Sequence, residues 1–357
     1  MSSLDCHPSR DLKKDEEGGP ALPILQPPRR KLVLHLDLNN TILVSDAVTG
    51  QGPTAALNSY LSTVTWGKRT ATGGWQWISD CPSVAPPSED AINYYIRFGR
   101  STDFVDTELG RRFKDVHTRH MKLLEWEGEQ DKVFTQIGED GKGYNWILPS
   151  FFHLIEKLHQ EGRQFSVILR TFGTDLPLVL RAVRSAFEGK HPLFPQLQYL
   201  PVNEIRCSSR ETVLTHGADR VTTHQNERAV YDFFNAMNGI GGFQDDFFWW
   251  SRNDFTAAGG KPLWINPSDC DIQHIIIDDN IRLNEDDTIV NCRLFIKRGR
   301  QDRLVPTSEV YDVCLVPTDL LRAIAEKDYF LDCVRICEEN YDRIFTSPKS
   351  SPEFHLK

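Results

Sequence analysis

The sequence predicts an α/β protein built on a parallel sheet, and three observations carry that expectation. Short apolar runs rich in branched residues recur along the chain: LVLHL at 32–36, FSVIL at 165–169 and HIII at 274–277. Their apolarity is continuous rather than alternating, as suits strands covered on both faces. Amphipathic helical stretches lie between them, so helix, strand, helix and strand again implies layers joined by right-handed crossovers.

Taken in chain order, residues 1–30 combine charge, glycine and five prolines with few aromatics. That composition buries too little surface to offset the entropy of ordering, so a disordered tail is expected, as for 346–357. The core is expected over 31–345. Residues 47–147 are too long for a simple crossover and read as an inserted cap or lid, with a β-leaning start (Tyr60 to Trp77) and a charged helical stretch (Thr107 to Glu125). Trp75, Trp77, Tyr94, Tyr95, Arg97 and Arg100 within it suit either a closure over an anionic molecule or the insertion's own small core.

The segment 148–162 places Phe151, Phe152, Leu154, Ile155 and Leu158 on one helical face and stops at Gly162. A second helix is expected over 174–189, and a third near Glu227–Met237. The run FFWW at 247–250 reads as core, with a partner-binding patch as the alternative. CRLFI at 292–296 is a fourth candidate strand. The stretch 316–345 reads as one or two amphipathic helices offering Leu320, Leu321, Ile324, Phe330, Leu331, Val334 and Ile336 for burial.

Composition narrows the function. The 357 residues are 39% hydrophobic, enough for a substantial interior, and 50 acidic against 41 basic residues give a net charge of −9. Nucleic acid and anionic membranes are therefore disfavoured as partners, which leaves small ligands or protein surfaces. No apolar stretch approaches the roughly 20 residues of a membrane-spanning helix, and the first residues lack the apolar core of a secretory signal. RRK at 29–31 reads as a solvated entry to the fold rather than a targeting signal. Eight cysteines without a CxxC pair suit reduced thiols in a cytoplasmic setting. Cys333 and Cys337 read as core residues rather than a metal pair, and His117 and His120 as a surface pair.

Ligands of open α/β sheets bind beyond the carboxyl ends of the strands, so the residues that follow the apolar runs are the ones to compare. After the first run come Asp37, Asn39 and Thr41; after the second, Thr171; before the third, Lys261; after it, Asp278 and Asp279. A phosphoryl group needs a nucleophile, a cation to mask its charge and fixed donors for its oxygens. Asp37 suits the nucleophile, Thr171 an oxygen donor and Lys261 a counter-charge. Oxygens from Asp37, the Asn39 backbone carbonyl and Asp278, with water oriented by Asp279, suit the hard shell that Mg²⁺ prefers. Taken singly, each acid also suits a turn cap, Thr171 an ordinary turn residue and Lys261 a surface ammonium.

DLNNT, ILRT, GGK and IIIDDN, in that order, resemble the four motifs of the haloacid dehalogenase-like (HAD-like) superfamily over roughly residues 31–296. The resemblance implies a Rossmann-like three-layer core, a cap over residues 47–147, a Mg²⁺ cofactor, an aspartyl-phosphate intermediate on Asp37 and a small phosphorylated or anionic metabolite as substrate. Lys190 and Lys297 are alternatives for the third motif. The departure is Asn39. The family's phosphatases have an acid there that protonates the leaving alcohol and later deprotonates water, help worth roughly 10²- to 10⁴-fold per step. An amide cannot supply it, although its carbonyl still serves the metal. Three readings stay open: a slow Mg²⁺-dependent hydrolase or phosphotransferase, a silent phosphate- or metabolite-binding module, and an interaction scaffold. Retention of both Asp278 and Asp279 with Asp37 favours the first two.

Overall fold

A computed structural model of the chain describes residues 29–46, 49–208, 213–216, 219–223, 226–282, 288–296 and 301–346. The expected tails, 1–30 and 346–357, lie outside these apart from residues 29, 30 and 346.

The three apolar runs form strands β1 (Lys31–Asp37), β2 (Phe165–Thr171) and β5 (Ile272–Asp278). They join β3 (Gly239–Gln244) and β8 (Leu315–Pro317) in a parallel five-stranded sheet of order β3-β2-β1-β5-β8. The sheet therefore grows outward from β1 in both directions, the order expected of a Rossmann-like, doubly wound α/β fold. Its direction of winding reverses between β1 and β5.

Both faces are covered, which explains the continuous apolarity of the strands. Leu32, Leu34 and Leu36 face one hydrophobic cluster, shared with α3 (Pro149–Gln160) and α8 (Tyr329–Tyr341). Val33 and Ile168 face another, with Val230, Tyr231 and Phe234 from α5 (Glu227–Ala236). The expected helices at 148–162 and near 227–237 are present, the former closing at Gly162 with φ +63°. The helix expected over 174–189 is α-helical only as α4 (Leu176–Ser185), then widens to a π turn that Gly189 ends at φ +75°.

Several expectations need correction. CRLFI is indeed a strand, β6 (Val290–Ile296), but it lies in a second sheet, parallel to β4 (Lys261–Ile265) and antiparallel to β7 (Gln301–Leu304). Tyr60 belongs to helix α1 (Pro53–Val64), so the β region starts only at Trp66. The charged helix of the insertion, α2, is confined to Lys114–Leu124. His117 and His120 are buried on it, held by Asn58 and Thr54 and by the Val116 carbonyl respectively, so they are not a surface pair. FFWW lies in the short helix α6 (Phe247–Arg252), none of whose residues is fully buried. Ile336 on α8 faces solvent, while Leu320, Phe330, Leu331 and Val334 are buried as expected. Cys333 and Cys337 are core residues.

The insertion does not carry an isolated core. Leu57, Tyr60, Phe104, Phe113 and Tyr144 belong to the same cluster as Leu34 and Leu36 of the sheet. Its own aromatic group, in which Trp77 stacks on Tyr94 and meets Phe113 edge-on, is an extension of that cluster. Tyr60 ties the insertion to the carboxyl end of the sheet: its hydroxyl donates to Thr318 O (3.2 Å) and accepts from Leu320 N (2.9 Å).

A candidate acid-lysine centre

The register of the sheet brings distant residues to one place. Asp37 ends β1 opposite Arg170 of β2, and Asp278 ends β5, the next strand on the other side. Because β1 and β5 flank the point where the winding reverses, their carboxyl ends open into the crevice between the crossovers. Asp37, Asp278 and Asp279 each place a carboxylate oxygen within 4.8 Å of the others. Lys261, at the first position of β4, reaches in from the second sheet. Its Nζ donates to Asp37 Oδ1 (2.5 Å) and Asp278 Oδ2 (2.7 Å), and its side chain is wholly buried.

Each acid is fixed by its surroundings. Asp278 Oδ1 accepts from Asn280 N at 2.9 Å, while its backbone carbonyl accepts from Thr318 N. Half-buried Asp279 accepts from Asn280 Nδ2 (2.7 Å), and Arg282 Nη1 donates to its backbone carbonyl. Thr171 is buried at the end of β2, where Gly173 N donates to its hydroxyl oxygen at 2.8 Å. A hydroxyl that accepts in this way still has its own proton to donate.

The loop after Asp37 turns tightly. The amides of Thr41, Ile42 and Leu43 all donate to the Leu38 carbonyl, and Asn40 takes the left-handed conformation (φ +56°) that asparagine tolerates better than most side chains. Asn39 is turned to the side of the cluster. Its amide nitrogen, oriented to satisfy its neighbours, donates to Ser45 O (2.9 Å) and Asp175 Oδ2 (3.2 Å). Among the described residues no hydrogen bond is made to the Asn39 backbone carbonyl.

Charge at the centre is out of balance. Burial raises the Asp37 carboxyl to about 7, and the neighbouring Asp278 adds to the rise while Lys261 opposes it. Asp279 is pushed well above the carboxylate range by burial and by its two acidic neighbours. For Lys261 burial acts downward, but Asp278, Asp37 and Asp245 outweigh it, so the ammonium holds its proton more tightly than usual. One buried ammonium thus serves acids that repel one another. A dication supplies the missing positive charge and would draw both raised carboxyls back down. The donor set suits one: three carboxylates with oxygens within 4.8 Å of one another offer the hard ligands that Mg²⁺ prefers.

The candidate residues thus divide cleanly. Asp37, Asp278, Asp279 and Lys261 meet; Thr171 lies on the adjoining strand end; Asn39 borders the group with its side chain engaged elsewhere. Of the alternative lysines, Lys190 is exposed and pairs with Glu188, and Lys297 lies outside the described residues. Sequence reading missed Arg170 and Asp245. Arg170 is buried in β2, gripping Asp245 through Nε (3.1 Å) and Nη2 (2.5 Å) and donating to Pro262 O (2.7 Å). It thereby holds β4, and so Lys261, against the sheet. The signal was available: a charge inside a strand buried on both faces must have a partner.

Together these features define an α/β protein with a buried carboxylate-lysine centre at the switch point of a parallel sheet. No family model, no curated protein and no solved structure matches the chain.

Proposed function

We propose that the centre binds Mg²⁺ and a phosphoryl group, and that Asp37 is its nucleophile in a slow hydrolase or phosphotransferase of HAD-like type, with residues 47–147 as its cap. The observation that carries this reading is the ammonium of Lys261 seated between Asp37 and Asp278 with Asp279 alongside. A structural salt bridge needs one acid per lysine; gathering two buried acids and a third half-buried one costs stability unless a further cation is part of the design.

Asp37, Asp278 and the Asn39 carbonyl would hold the ion, with Asp279 orienting its water. The ion would supply charge neutralisation to an incoming phosphoryl group and keep Asp37 ionised. Asp37 then attacks phosphorus through a carboxylate oxygen, the bond to the leaving oxygen breaks, and that oxygen departs with the electron pair. Thr171 donates to a phosphoryl oxygen and Lys261 offsets the accumulated negative charge. Water attacking the aspartyl phosphate at phosphorus releases inorganic phosphate and restores Asp37. Asn39 cannot move a proton in either half, so the first is slow unless the leaving group departs unaided, and the second, in which water needs a base, is slow for any substrate. A cytoplasmic setting and a small phosphorylated or anionic substrate suit this chemistry.

A silent phosphate-binding module is the second reading, favoured by the engagement of the Asn39 side chain with Ser45 and Asp175. Incubating the full chain with Mg²⁺ and acetyl phosphate separates the two. A hydroxylamine-labile adduct that disappears in Asp37→Asn supports the enzyme. Metal binding without adduct or turnover supports the module, and failure to bind metal overturns both.

A further inference from the structure

We propose that the leaving group at this site is a phenol: the substrate is an aryl phosphomonoester, and an aromatic bed running from Lys261 to the surface receives its ring. The proposal rests on the phosphoryl-transfer reading above and assigns its substrate class.

The bed begins inside the site. Phe172 directly follows Thr171, and its ring centre lies 5.4 Å from Lys261 Nζ. Trp250 stacks on it nearly parallel, with centroids 4.8 Å apart and planes 4° apart. Phe255 meets Trp250 edge-on at 5.1 Å, and Phe247 lies within 6.3 Å of Phe172 and 6.2 Å of Phe255. The outer members are open to solvent: Phe248 is 74% exposed and Phe255 49%. Apolar rings this exposed need a reason, since among the described residues nothing buries them.

Their placement is enforced. Asp246 caps the short helix by accepting from Phe248 N (3.0 Å) and Trp249 N (3.1 Å). Asp254 and Phe255 both adopt left-handed backbone, φ +54° and +58°. For a bulky residue that conformation is strained, and strain of this kind gathers at functional positions. Here it holds an exposed ring beside Trp250.

The second line of argument is chemical and independent of the rings. Asn39 cannot protonate a leaving oxygen. A phenol, with a pKa of about 10, departs as its anion with far less help than an aliphatic alcohol. A site without the acid and with an aromatic rim therefore selects the same ester twice. In the reaction Asp37 attacks phosphorus, the P–O(aryl) bond breaks, and the phenolate leaves with the electron pair and takes its proton from water. Free phenols and tyrosine side chains of peptides share this chemistry.

The test uses the full chain with Mg²⁺ and four esters: phenyl phosphate, a phosphotyrosyl peptide, the matching phosphoseryl peptide and adenosine monophosphate. The expected result is kcat/KM at least ~100-fold higher for the two aryl esters. A lower KM for the peptide than for phenyl phosphate assigns the source to protein, and equal values to a small phenol. Phe248→Ala and Phe255→Ala are expected to raise KM for phenyl phosphate ~3- to 10-fold with kcat little changed. Labelling of Asp37 by acetyl phosphate, which has no ring, should stay as in the parent. Equal rates on aryl and aliphatic esters, preference for the nucleotide, or ring variants that depress acetyl phosphate labelling equally would each overturn the proposal while leaving the phosphoryl site standing. Absence of labelling in the parent protein removes the site and this proposal together.

Discussion

Strands β1 and β5 each carry a buried histidine and, two to four residues further on, a buried aspartate, and the two sets behave in opposite ways. Lower in the sheet, His35 Nε2 and His274 Nδ1 are 3.2 Å apart, and His274 Nε2 contacts Asn235 Oδ1 at 2.7 Å. Tyr231 stacks on His274 and Phe234 meets His35 edge-on. Burial drives both imidazoles down, His274 to about 3, so the pair is neutral, bonded onward to Asn235 and with His35 Nδ1 left without a partner among the described residues. At the strand ends, Asp37 and Asp279 are driven up by burial and by their acidic neighbours. Polar burial therefore does not by itself mark a functional centre. The histidines have settled into their uncharged form within a sealed layer; the acids sit beside Lys261 at the open end of the sheet, where a cation can complete them.

The harshest way to break this contrast is to remove the proposed nucleophile. Asp37→Asn is expected to lower acetyl phosphate labelling more than 10³-fold, read by mass spectrometry. A labelled Asp37→Asn protein would place the nucleophile elsewhere. Next in size is Lys261→Met. Removing one member of a buried charge group costs about 3–5 kcal/mol, because the remaining acids stay in a buried site without their counter-charge. Urea unfolding in EDTA should show that loss, and Mg²⁺ should recover part of it. A loss below ~1 kcal/mol would mean that water, not Lys261, satisfies Asp37 and Asp278.

The parts of this contrast that the sequence reveals are those set by local chemistry. LVLHLD and HIIIDD announce buried strands ending in acids and FSVILRT one ending in a hydroxyl, and the register of a parallel sheet then delivers Asp37 next to Asp278. What it conceals is set by neighbours far along the chain. GIGGFQ reads poorly as a strand because glycine packs nothing and loses much entropy. Yet at Gly239, where φ is +77°, a Cβ would lie 2.3 Å from the Pro201 carbonyl oxygen, so the start of this strand demands a glycine. The run LVP is too short to stand out as β8. CRLFI looks like its sisters, since apolarity declares burial and not which sheet a strand joins. FFWW misleads for the converse reason: aromatic content implies burial, but α6 lies outside the layers that cover the sheet.

A smaller effect sharpens the charge argument. An ion that binds only the folded chain stabilises it by about 2.7 kcal/mol at 100 times its Kd. At pH 8 that gain should appear on Mg²⁺ addition and vanish in Asp278→Asn, with thermal unfolding as the measurement. The His35–His274 layer should not respond. If Asp278→Asn keeps the whole Mg²⁺ shift, the ion binds at some other place.

The two regions also predict opposed pH dependence, the smallest effect and the one that addresses both at once. Asp37, near 7 when folded against 3.8 unfolded, keeps a proton that the unfolded chain has released. Its contribution to stability is thus whole below about pH 3.8 and is lost as pH rises through about 7; Asp279 acts in the same sense. The histidines run the other way. Below their usual 6.5 the unfolded chain takes up protons that the buried pair refuses, so stability is whole above about 6.5 and falls as pH drops toward 3. Each slope is at most ~1.4 kcal/mol per pH unit. Without metal the slopes overlap between about pH 4 and 6.5 and largely cancel. Saturating Mg²⁺ holds the acids ionised in the native state, which removes their slope and exposes the histidine decline. Urea unfolding at pH 7 and pH 5 should therefore show a clearly larger loss of stability on acidification with Mg²⁺ than with EDTA. Equal losses under the two conditions would mean that the ion never reaches Asp37 and Asp279, and that the acids at the strand ends are as self-contained as the histidines beneath them.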